Sequence, residues 1–184
     1  MTGNVGAPGG CVIRCNPGGV CLFGRDGTGT CTVTGVDFST AGNGSIGINC
    51  SQFYQIDFGQ VQFDNFPLGN HIAIADLGSM DIVGNYTIAG SAPSHIVLSG
   101  QAKLNYGTFT VNLPSALTFT TFLSVNALSW VNAGGVPISF TGGGAGGGST
   151  GQKYNVSQNS VVNSAGTTYP GATAGTTGSG GIFS

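Results

Sequence analysis

Charged residues are scarce in this chain of 184 residues. It contains four Lys and Arg, six Asp and no Glu, so the formal net charge is −2. A chain of this composition has no basic field that would attract nucleic acid or an anionic membrane surface. So few charges also give little protection against edge-to-edge association of strands, and the composition therefore favours an oligomer over a free monomer.

Long apolar runs and helical periodicity are also missing. No stretch approaches the roughly 18 apolar residues of a transmembrane helix, so no membrane insertion is expected. No segment repeats apolar residues at a 3.6-residue period between helix caps, so the predicted helix content is near zero. Thr, Ser, Asn, Val, Ile and Phe are abundant instead, and 35 residues are Gly, a composition that favours short strands and turns.

Residues 71–112 contain two copies of one pattern, and this repeat carries the fold prediction. The segment HIAI at 71–74 returns as HIVL at 95–98, and GNYTI at 84–88 returns as GTFTV at 107–111. Short strands that recur about every 24 residues, with turns between them, are typical of the coils of a β-solenoid.

We therefore predict an all-β protein whose centre is a right-handed parallel β-helix of about five turns at residues 31–140. Residues 1–30 are predicted to form a Gly- and Cys-rich cap or attachment segment. Residues 141–184 are predicted to form a glycine-rich loop and a C-terminal β tail, which lies at the shared axis if the chain forms a trimer.

The repeat also predicts which side chains stack on neighbouring turns. Ile72 should lie beside Ile96, and Ile88 should lie beside Val111. These pairs follow directly from aligning the two copies, so they test the proposed geometry.

The five cysteines are spaced 4, 6, 10 and 19 residues apart, at Cys11, Cys15, Cys21, Cys31 and Cys50. Zinc ribbons and fingers usually present close Cys pairs followed by a second pair or by two His. This chain has no C-x-x-C, so we predict no metal site. Buried small residues and one or two local disulfides are the alternatives. Because five is odd, at least one thiol is free or pairs between chains.

Two pairs of titratable residues lie one predicted turn apart. Asp57 and Asp81 could stack about 4.8 Å apart on neighbouring turns, as glycosidase carboxylates can. Both occupy outward positions without a neighbouring base, so we interpret them as solvated strand residues and predict no catalytic residue. His71 and His95 could stack in the same way, but no carboxylate or Cys flanks them, and capping of corners is favoured over metal binding.

Exposed aromatic residues are the candidates for receptor contact, because their rings stack while nearby amides form hydrogen bonds. We predict Tyr106, Trp130 and Tyr169 as binding residues. The alternative for each is packing in the core or in a trimer interface. For Trp130, the neighbours Leu128 and Val131 favour packing.

Three C-terminal segments carry a family resemblance: KYNVS at 153–157, GTTYPG at 166–171 and AGTTGSGG at 174–181. They resemble the C-terminal tail of tail-fibre or tailspike-like proteins of phages and prophages. The preceding strand-rich coils are similar to the same group, so the resemblance covers residues 35–181. It implies a homotrimeric β-helical fibre on a virion, outside the cell, that contacts other virion tail proteins and a host polysaccharide or protein receptor.

The predicted function is therefore structural and adhesive: a component of a phage tail fibre or spike that attaches to the host surface, without enzymatic activity and without a cofactor. A polysaccharide-degrading tailspike enzyme is the main alternative, because many tailspikes degrade surface polysaccharide. A purely structural virion or extracellular fibre subunit is the third possibility.

Overall fold

Short strands dominate the computed structural model, which describes residues 1–4 and 6–184. A single 3-10 turn, Pro8–Gly10, is the only helical element in that part of the chain. The strands are β1 (Val12–Cys15), β2 (Val20–Gly24), β3 (Thr30–Thr34), β4 (Asp37–Thr40), β5 (Ile46–Cys50), β6 (Gln55–Gly59), β7 (Gln62–Phe63), β8 (Asn70–Ile74), β9 (Ser79–Ile82), β10 (Tyr86–Ile88), β11 (Ser94–Leu98), β12 (Lys103–Tyr106), β13 (Thr110–Asn112), β14 (Thr118–Val125), β15 (Trp130–Asn132), β16 (Ser139–Thr141), β17 (Thr150–Val156), β18 (Val161–Asn163), β19 (Thr176–Thr177) and β20 (Ile182–Phe183).

Successive strands enter three parallel sheets in rotation, so the chain winds into a β-solenoid of about seven turns. Sheet 1 contains β1, β4, β7, β10, β13 and β16. Sheet 2 contains β2, β5, β8, β11, β14, β17 and β19, and sheet 3 contains β3, β6, β9, β12, β15, β18 and β20. Parallel neighbours require a crossover connection, which the other two sides of each turn provide. The predicted all-β parallel solenoid is confirmed.

The solenoid continues beyond the predicted range of 31–140 at both ends. Strands β1 and β2 pair with β4 and β5, and the strands from β17 to β20 extend sheets 2 and 3. The prediction of about five turns is therefore too short. The glycine-rich sequence predicts a loop after residue 140, but in the structure it forms tight corners. Gly142, for example, has a φ of 90° and packs so closely that an added Cβ would collide with the Leu113 carbonyl oxygen.

The number of residues per turn is not constant, which explains why the repeat is visible in only part of the chain. Asp81 and Asn105, on neighbouring turns, are 24 residues apart. Asn132 and Asn163 occupy the same column on later turns and are 31 residues apart. The extra residues include the glycine-rich corner after β16, so a fixed period fails there.

Apolar side chains stack in register inside the solenoid. In sheet 2, Ile48 pairs with Ile72, Ile72 with Ile96, and Ile96 with Leu123, and all four are buried. Burial of each such side chain stabilises the fold by about 1.5–3 kcal/mol. The predicted stacking of Ile72 beside Ile96 is confirmed.

The second predicted stack is wrong by two residues. Val111 lies beside Tyr86 rather than Ile88, and Ile88 pairs with Phe63 on the preceding turn. A shift of two residues keeps every inward side chain inward, because side chains alternate with a period of two. The burial pattern therefore cannot distinguish the two registers, and the length of the preceding corner decides between them.

The corners between sheets 2 and 3 use consecutive residues with positive φ. Asp76 and Leu77 have φ values of 47° and 68°, and Ala127 and Leu128 have values of 54° and 63°. This conformation costs an L-residue roughly 1–2 kcal/mol. Hydrogen bonds between stacked corners offset part of the cost, such as the one from Leu77 N to Gly100 O at 2.9 Å. Turn rules that search for Gly and Asn miss these corners.

Candidate ligand-binding face on sheet 3

Polar side chains form a ladder along the outer face of sheet 3. One in-register column of β6, β9, β12, β15 and β18 contains Asp57, Asp81, Asn105, Asn132 and Asn163. Because neighbouring strands lie about 4.8 Å apart, the carboxylates and amides of this ladder come within reach of one another. Each ladder residue follows a buried apolar residue on its strand, so the alternation of side chains turns it outward.

Two carboxylates of the ladder share one amide. Gln55 Nε2 donates to Asp57 Oδ1 at 2.8 Å and to Asp81 Oδ2 at 3.2 Å. Asn105 Nδ2 donates to Asp81 Oδ1 at 2.9 Å. The predicted stacking of Asp57 on Asp81 is confirmed. The carboxylates and amides of the ladder are suited to exchange hydrogen bonds with the hydroxyl groups of a ligand.

Trp130 lies in the column next to the ladder. It pairs in register with Lys103 on one side and Val161 on the other, and it is 49% exposed. Val131 is buried and Asn132 belongs to the ladder, so the alternation places the indole ring outside. The expectation that Trp130 packs in the core is wrong. Its packing in a trimer interface and its role in ligand binding stay predictions.

A groove of about 300 Å³ lies beside the ladder. Its walls consist of Asp81, Ile82, Val83, Asn105, Tyr106, Gly107, Asn132 and Gly134. This volume is at the lower end of the range for ligand pockets. Amide and carboxylate groups next to an exposed indole combine hydrogen bonding with an apolar stacking surface, which is the combination that a sugar ring and its hydroxyl groups require.

Tyr106 contributes to a wall of the groove but is almost completely buried, and Tyr169 does not line the groove. They are only 4% and 3% exposed, and their hydroxyl groups are hydrogen-bonded to each other inside the solenoid. Burial raises the pKa of Tyr106 to about 12 and raises that of Tyr169 well above its ordinary value. The expectation that these two rings are available to a ligand is wrong. Tyr106 lies two residues after the buried Leu104 on the same strand, so the alternation of side chains predicts that its ring points inward. Tyr169 lies outside any strand, so alternation predicts nothing about its burial.

His71 and His95 lie fully inside the solenoid. Their Nδ1 atoms are 3.0 Å apart, so the predicted stacking on neighbouring turns is confirmed. His71 Nε2 lies 3.0 Å from the carbonyl oxygen of Asp64, and His95 Nε2 lies 2.8 Å from the hydroxyl oxygen of Tyr86. Phe63 packs against both rings. The pair is therefore enclosed by aromatic side chains.

The hydrogen bonds of this histidine pair can run in only one direction. A carbonyl oxygen accepts, so His71 Nε2 carries a proton. Burial lowers the pKa of His71 to about 3, so the ring is neutral and its Nδ1 accepts from His95 Nδ1–H. Burial and the neighbouring His71 lower the pKa of His95 as well, which leaves His95 Nε2 to accept from the Tyr86 hydroxyl. Every ring nitrogen is used, so the pair is structural.

A second pair of carboxylates, which the sequence analysis did not identify, lies on sheet 1. Gln62 Nε2 lies 3.2 Å from both Asp37 Oδ2 and Asp64 Oδ1 and donates to them. Asp37 is 5% exposed, and its Oδ1 has no hydrogen-bond partner among the described residues. Burial and the charge of Asp64 raise the pKa of Asp37 to about 6, against the opposing hydrogen bond from Gln62.

A repeated Gln-x-Asp motif could have revealed both pairs. Gln55 and Asp57 form one copy, and Gln62 and Asp64 form the other. In each copy the side chains of Gln and Asp lie on the same face of the strand, because they are two residues apart. The glutamine then also reaches an aspartate on an adjacent turn.

Other site types are not found in residues 1–4 and 6–184. No group of three His, Cys, Asp or Glu side chains is arranged to hold a metal ion there. Within the same residues, no helix has the length and apolar character needed to cross a membrane.

Comparison with known proteins adds no identification. No family model matches the chain, and neither the curated proteins nor the solved structures include a significant match.

Proposed function

We propose that this protein is a structural, adhesive β-solenoid that attaches to a carbohydrate on a host surface through the outer face of sheet 3. The observation that carries the proposal is the position of exposed Trp130 beside the ladder of Asp81, Asn105 and Asn132. The indole stacks on a sugar ring, and the ladder and the groove beside it bind the hydroxyl groups. This role corresponds to a component of a phage tail fibre or spike, placed on the virion and outside the cell, where it contacts other tail proteins.

The proposed assembly is a homotrimer of right-handed solenoids with the glycine-rich tail at the shared axis. Parallel strands joined by a crossover are right-handed in about 98% of cases, which supports the proposed handedness. Large apolar side chains are exposed along the solenoid, among them Phe53 at 65%, Leu68 at 65% and Val83 at 58%. Such exposure together with so little charge favours association with further copies.

A polysaccharide hydrolase is the second candidate function, and one observation favours it. Asp37, whose pKa is raised to about 6, shares Gln62 with Asp64, so Asp37 can hold a proton close to a second carboxyl group. Glycosidases use a carboxylic acid and a carboxylate in this way. However, Asp37 is nearly covered, and its unpartnered oxygen does not face solvent. A fibre subunit without receptor contact is the third candidate.

Binding to an array of bacterial surface polysaccharides tests the adhesive function. We expect the wild-type protein to bind a subset of the array, and we expect Trp130→Ala to weaken that binding at least tenfold, which corresponds to ~1.4 kcal/mol. Phe53→Ala is the matched control, because Phe53 is also an exposed aromatic residue but lies at a corner of an earlier turn.

The same array separates the three candidates. Equal binding by the wild type and by Trp130→Ala would reject sheet 3 as the contact face, and absence of any binding would favour the purely structural role. Release of reducing sugar ends by the wild type but not by Asp37→Asn would favour the hydrolase. The mass in solution tests the assembly, because a trimer has three times the chain mass of 18.3 kDa and a monomer would contradict it.

A further inference from the structure

The thiols of Cys15 and Cys21 meet at one backbone oxygen in the first turn of the solenoid. Cys15 Sγ donates to Ser39 O at 3.4 Å, and Cys21 Sγ donates to the same atom at 3.2 Å. Cys15 ends β1, and Cys21 is the second residue of β2. The corner between them is closed by a hydrogen bond from Gly19 N to Asn16 O at 2.9 Å.

None of the other three cysteines shares a hydrogen-bond acceptor with a second thiol in the described structure. Cys50 is buried on the next turn and donates to the carbonyl oxygens of Tyr54 and Ser79. The only acceptor near Cys31 Sγ is the carbonyl oxygen of the adjacent Thr32. Cys11 is exposed. A single pair, Cys15 with Cys21, therefore shares a hydrogen-bond acceptor.

We propose that Cys15 and Cys21 form a disulfide bond that closes the corner between sheets 1 and 2 in the first turn. The end of a stack is where such a link has most effect. Strands β1 and β2 are the outermost strands of their sheets and have a neighbour on one side only. Terminal elements with few partners open at low free energy. The bond keeps β1 and β2 together under conditions in which the first turn would otherwise unfold.

The bond forms by thiol–disulfide exchange with a small disulfide such as oxidised glutathione. One cysteine thiolate attacks the glutathione disulfide, which releases one glutathione and leaves a mixed disulfide. The second cysteine thiolate attacks the protein sulfur of that intermediate and releases the other glutathione. The two cysteines lose two electrons, and the protons of their thiols pass to the two glutathione thiolates.

The timing of the reaction follows from the burial of the pair. The thiolate is the reactive species. Burial, and after it the contact with Cys15, raises the pKa of Cys21 well above its ordinary value, so the folded protein rarely exposes a thiolate at this position. The disulfide is therefore expected to form while the first turn is still open, during oxidative folding, and to form slowly when oxidant is added to the folded, reduced protein.

Peptide mapping tests the pairing, because trypsin places the two cysteines alone in one peptide. Cleavage after Arg14 and Arg25 releases residues 15–25, CNPGGVCLFGR, whereas Cys11 lies in 1–14 and Cys31 and Cys50 lie in 26–103. The full chain is refolded with oxidised and reduced glutathione, alkylated without reduction and digested. We expect peptide 15–25 to be lighter than its reduced form by two hydrogen atoms and to carry no alkyl group.

Two results would overturn the pairing: peptide 15–25 with both thiols alkylated, or peptide 15–25 linked to 1–14 or 26–103. The thermal midpoint gives the second readout. We expect the oxidised wild type to unfold about 5 °C above the reduced protein, given the short loop that the bond closes. Cys21→Ser should lose this difference, and Cys11→Ser should keep it. An equal shift in Cys21→Ser would show that another bond is responsible.

Discussion

The interior pair His71–His95 and the surface pair Asp57–Asp81 have the same spacing but different environments. The members of each pair lie 24 residues apart on neighbouring turns. The imidazoles lie inside, where each ring nitrogen has one partner, and burial keeps both rings neutral. The carboxylates lie outside, half-buried. Spacing therefore determines which residues stack, and the inward or outward position determines what the stacked groups can do.

The third pair, Asp37–Asp64, shares features with the interior histidine pair and with the surface aspartate pair. It belongs to an outer face and is held by a glutamine like Asp57–Asp81, yet Asp37 is nearly as buried as a core residue. A buried carboxylate without a full set of donors is costly in its charged form. Among the described aspartates, Asp37 should therefore be the one whose charge opposes folding most strongly.

The largest expected effect is a loss of stability in acid that comes from the interior pair. The folded-state pKa of His71 is lowered from 6.5 to about 3, so the unfolded chain binds more protons between these pH values and stability falls as the pH falls through this window. Because His95 shifts in the same direction, we expect the free energy of unfolding to drop by about 3 kcal/mol or more from pH 7.5 to pH 4.5. Urea unfolding followed by circular dichroism measures it.

The double variant His71→Phe with His95→Phe is the matched control for this prediction. It replaces both rings with aromatic rings that do not titrate, in a site already lined by Phe63 and Phe122. Its absolute stability will differ from that of the wild type, but it should no longer lose stability between pH 7.5 and pH 4.5, because the raised pKa of Asp37 acts in the opposite direction. An equal slope in the wild type and the double variant would contradict the assignment to the histidines.

The second-largest expected effect is a difference between Asp37 and Asp57 in how much each carboxylate changes the free energy of unfolding. The folded-state pKa of Asp37 is raised from 3.8 to about 6, so the folded chain binds more protons in this window and stability falls as the pH rises through it. Asp37→Asn removes the buried charge, and we expect it to increase the free energy of unfolding by about 2 kcal/mol at pH 8 and by much less at pH 4. Asp57→Asn, compared at both pH values by urea unfolding, should change stability by less than about 0.5 kcal/mol.

The smallest effect concerns the glutamine that holds the surface pair. Gln55→Ala removes the donor shared by Asp57 and Asp81 and leaves two carboxylates stacked on neighbouring turns. We expect a loss of about 1 kcal/mol at low ionic strength and a smaller loss in 0.5 M salt, because salt screens the repulsion between exposed charges. Gln52→Ala, at a nearby corner, is the control. A loss of the same size at both salt concentrations would indicate that packing, not repulsion, is responsible.

Much of the candidate face could be predicted from particular residues. The stacking of Asp57 on Asp81 followed from their spacing, and their outward position followed from Ile56 and Met80. The same alternation also places Trp130 outside and Tyr106 inside. The apolar neighbours of Trp130 wrongly predict packing in the core, because the alternation of side chains along the strand, not the character of the neighbours, sets the direction of its ring.

Other features depended on contacts that have no sequence signal. The left-handed corners at Leu77 and Leu128 contain residues that seldom adopt this conformation, so turn rules do not find them. The burial of Asp37 and the meeting of Cys15 with Cys21 at one carbonyl oxygen depend on how the first turns are stacked. None of these relations has a fixed spacing that the sequence alone would reveal.

The sequence by itself determined an all-β solenoid, the inward and outward faces of its strands, and the stacks of Ile72 on Ile96 and of Asp57 on Asp81. Each follows from alternation with a period of two and from the 24-residue turns in the central part of the chain. Only the tertiary structure decided the number of turns and the pairing of Val111 with Tyr86. The physical reason is that a shift of two residues leaves burial unchanged, so the register depends on the conformation of the corners and on their contacts with the preceding turn.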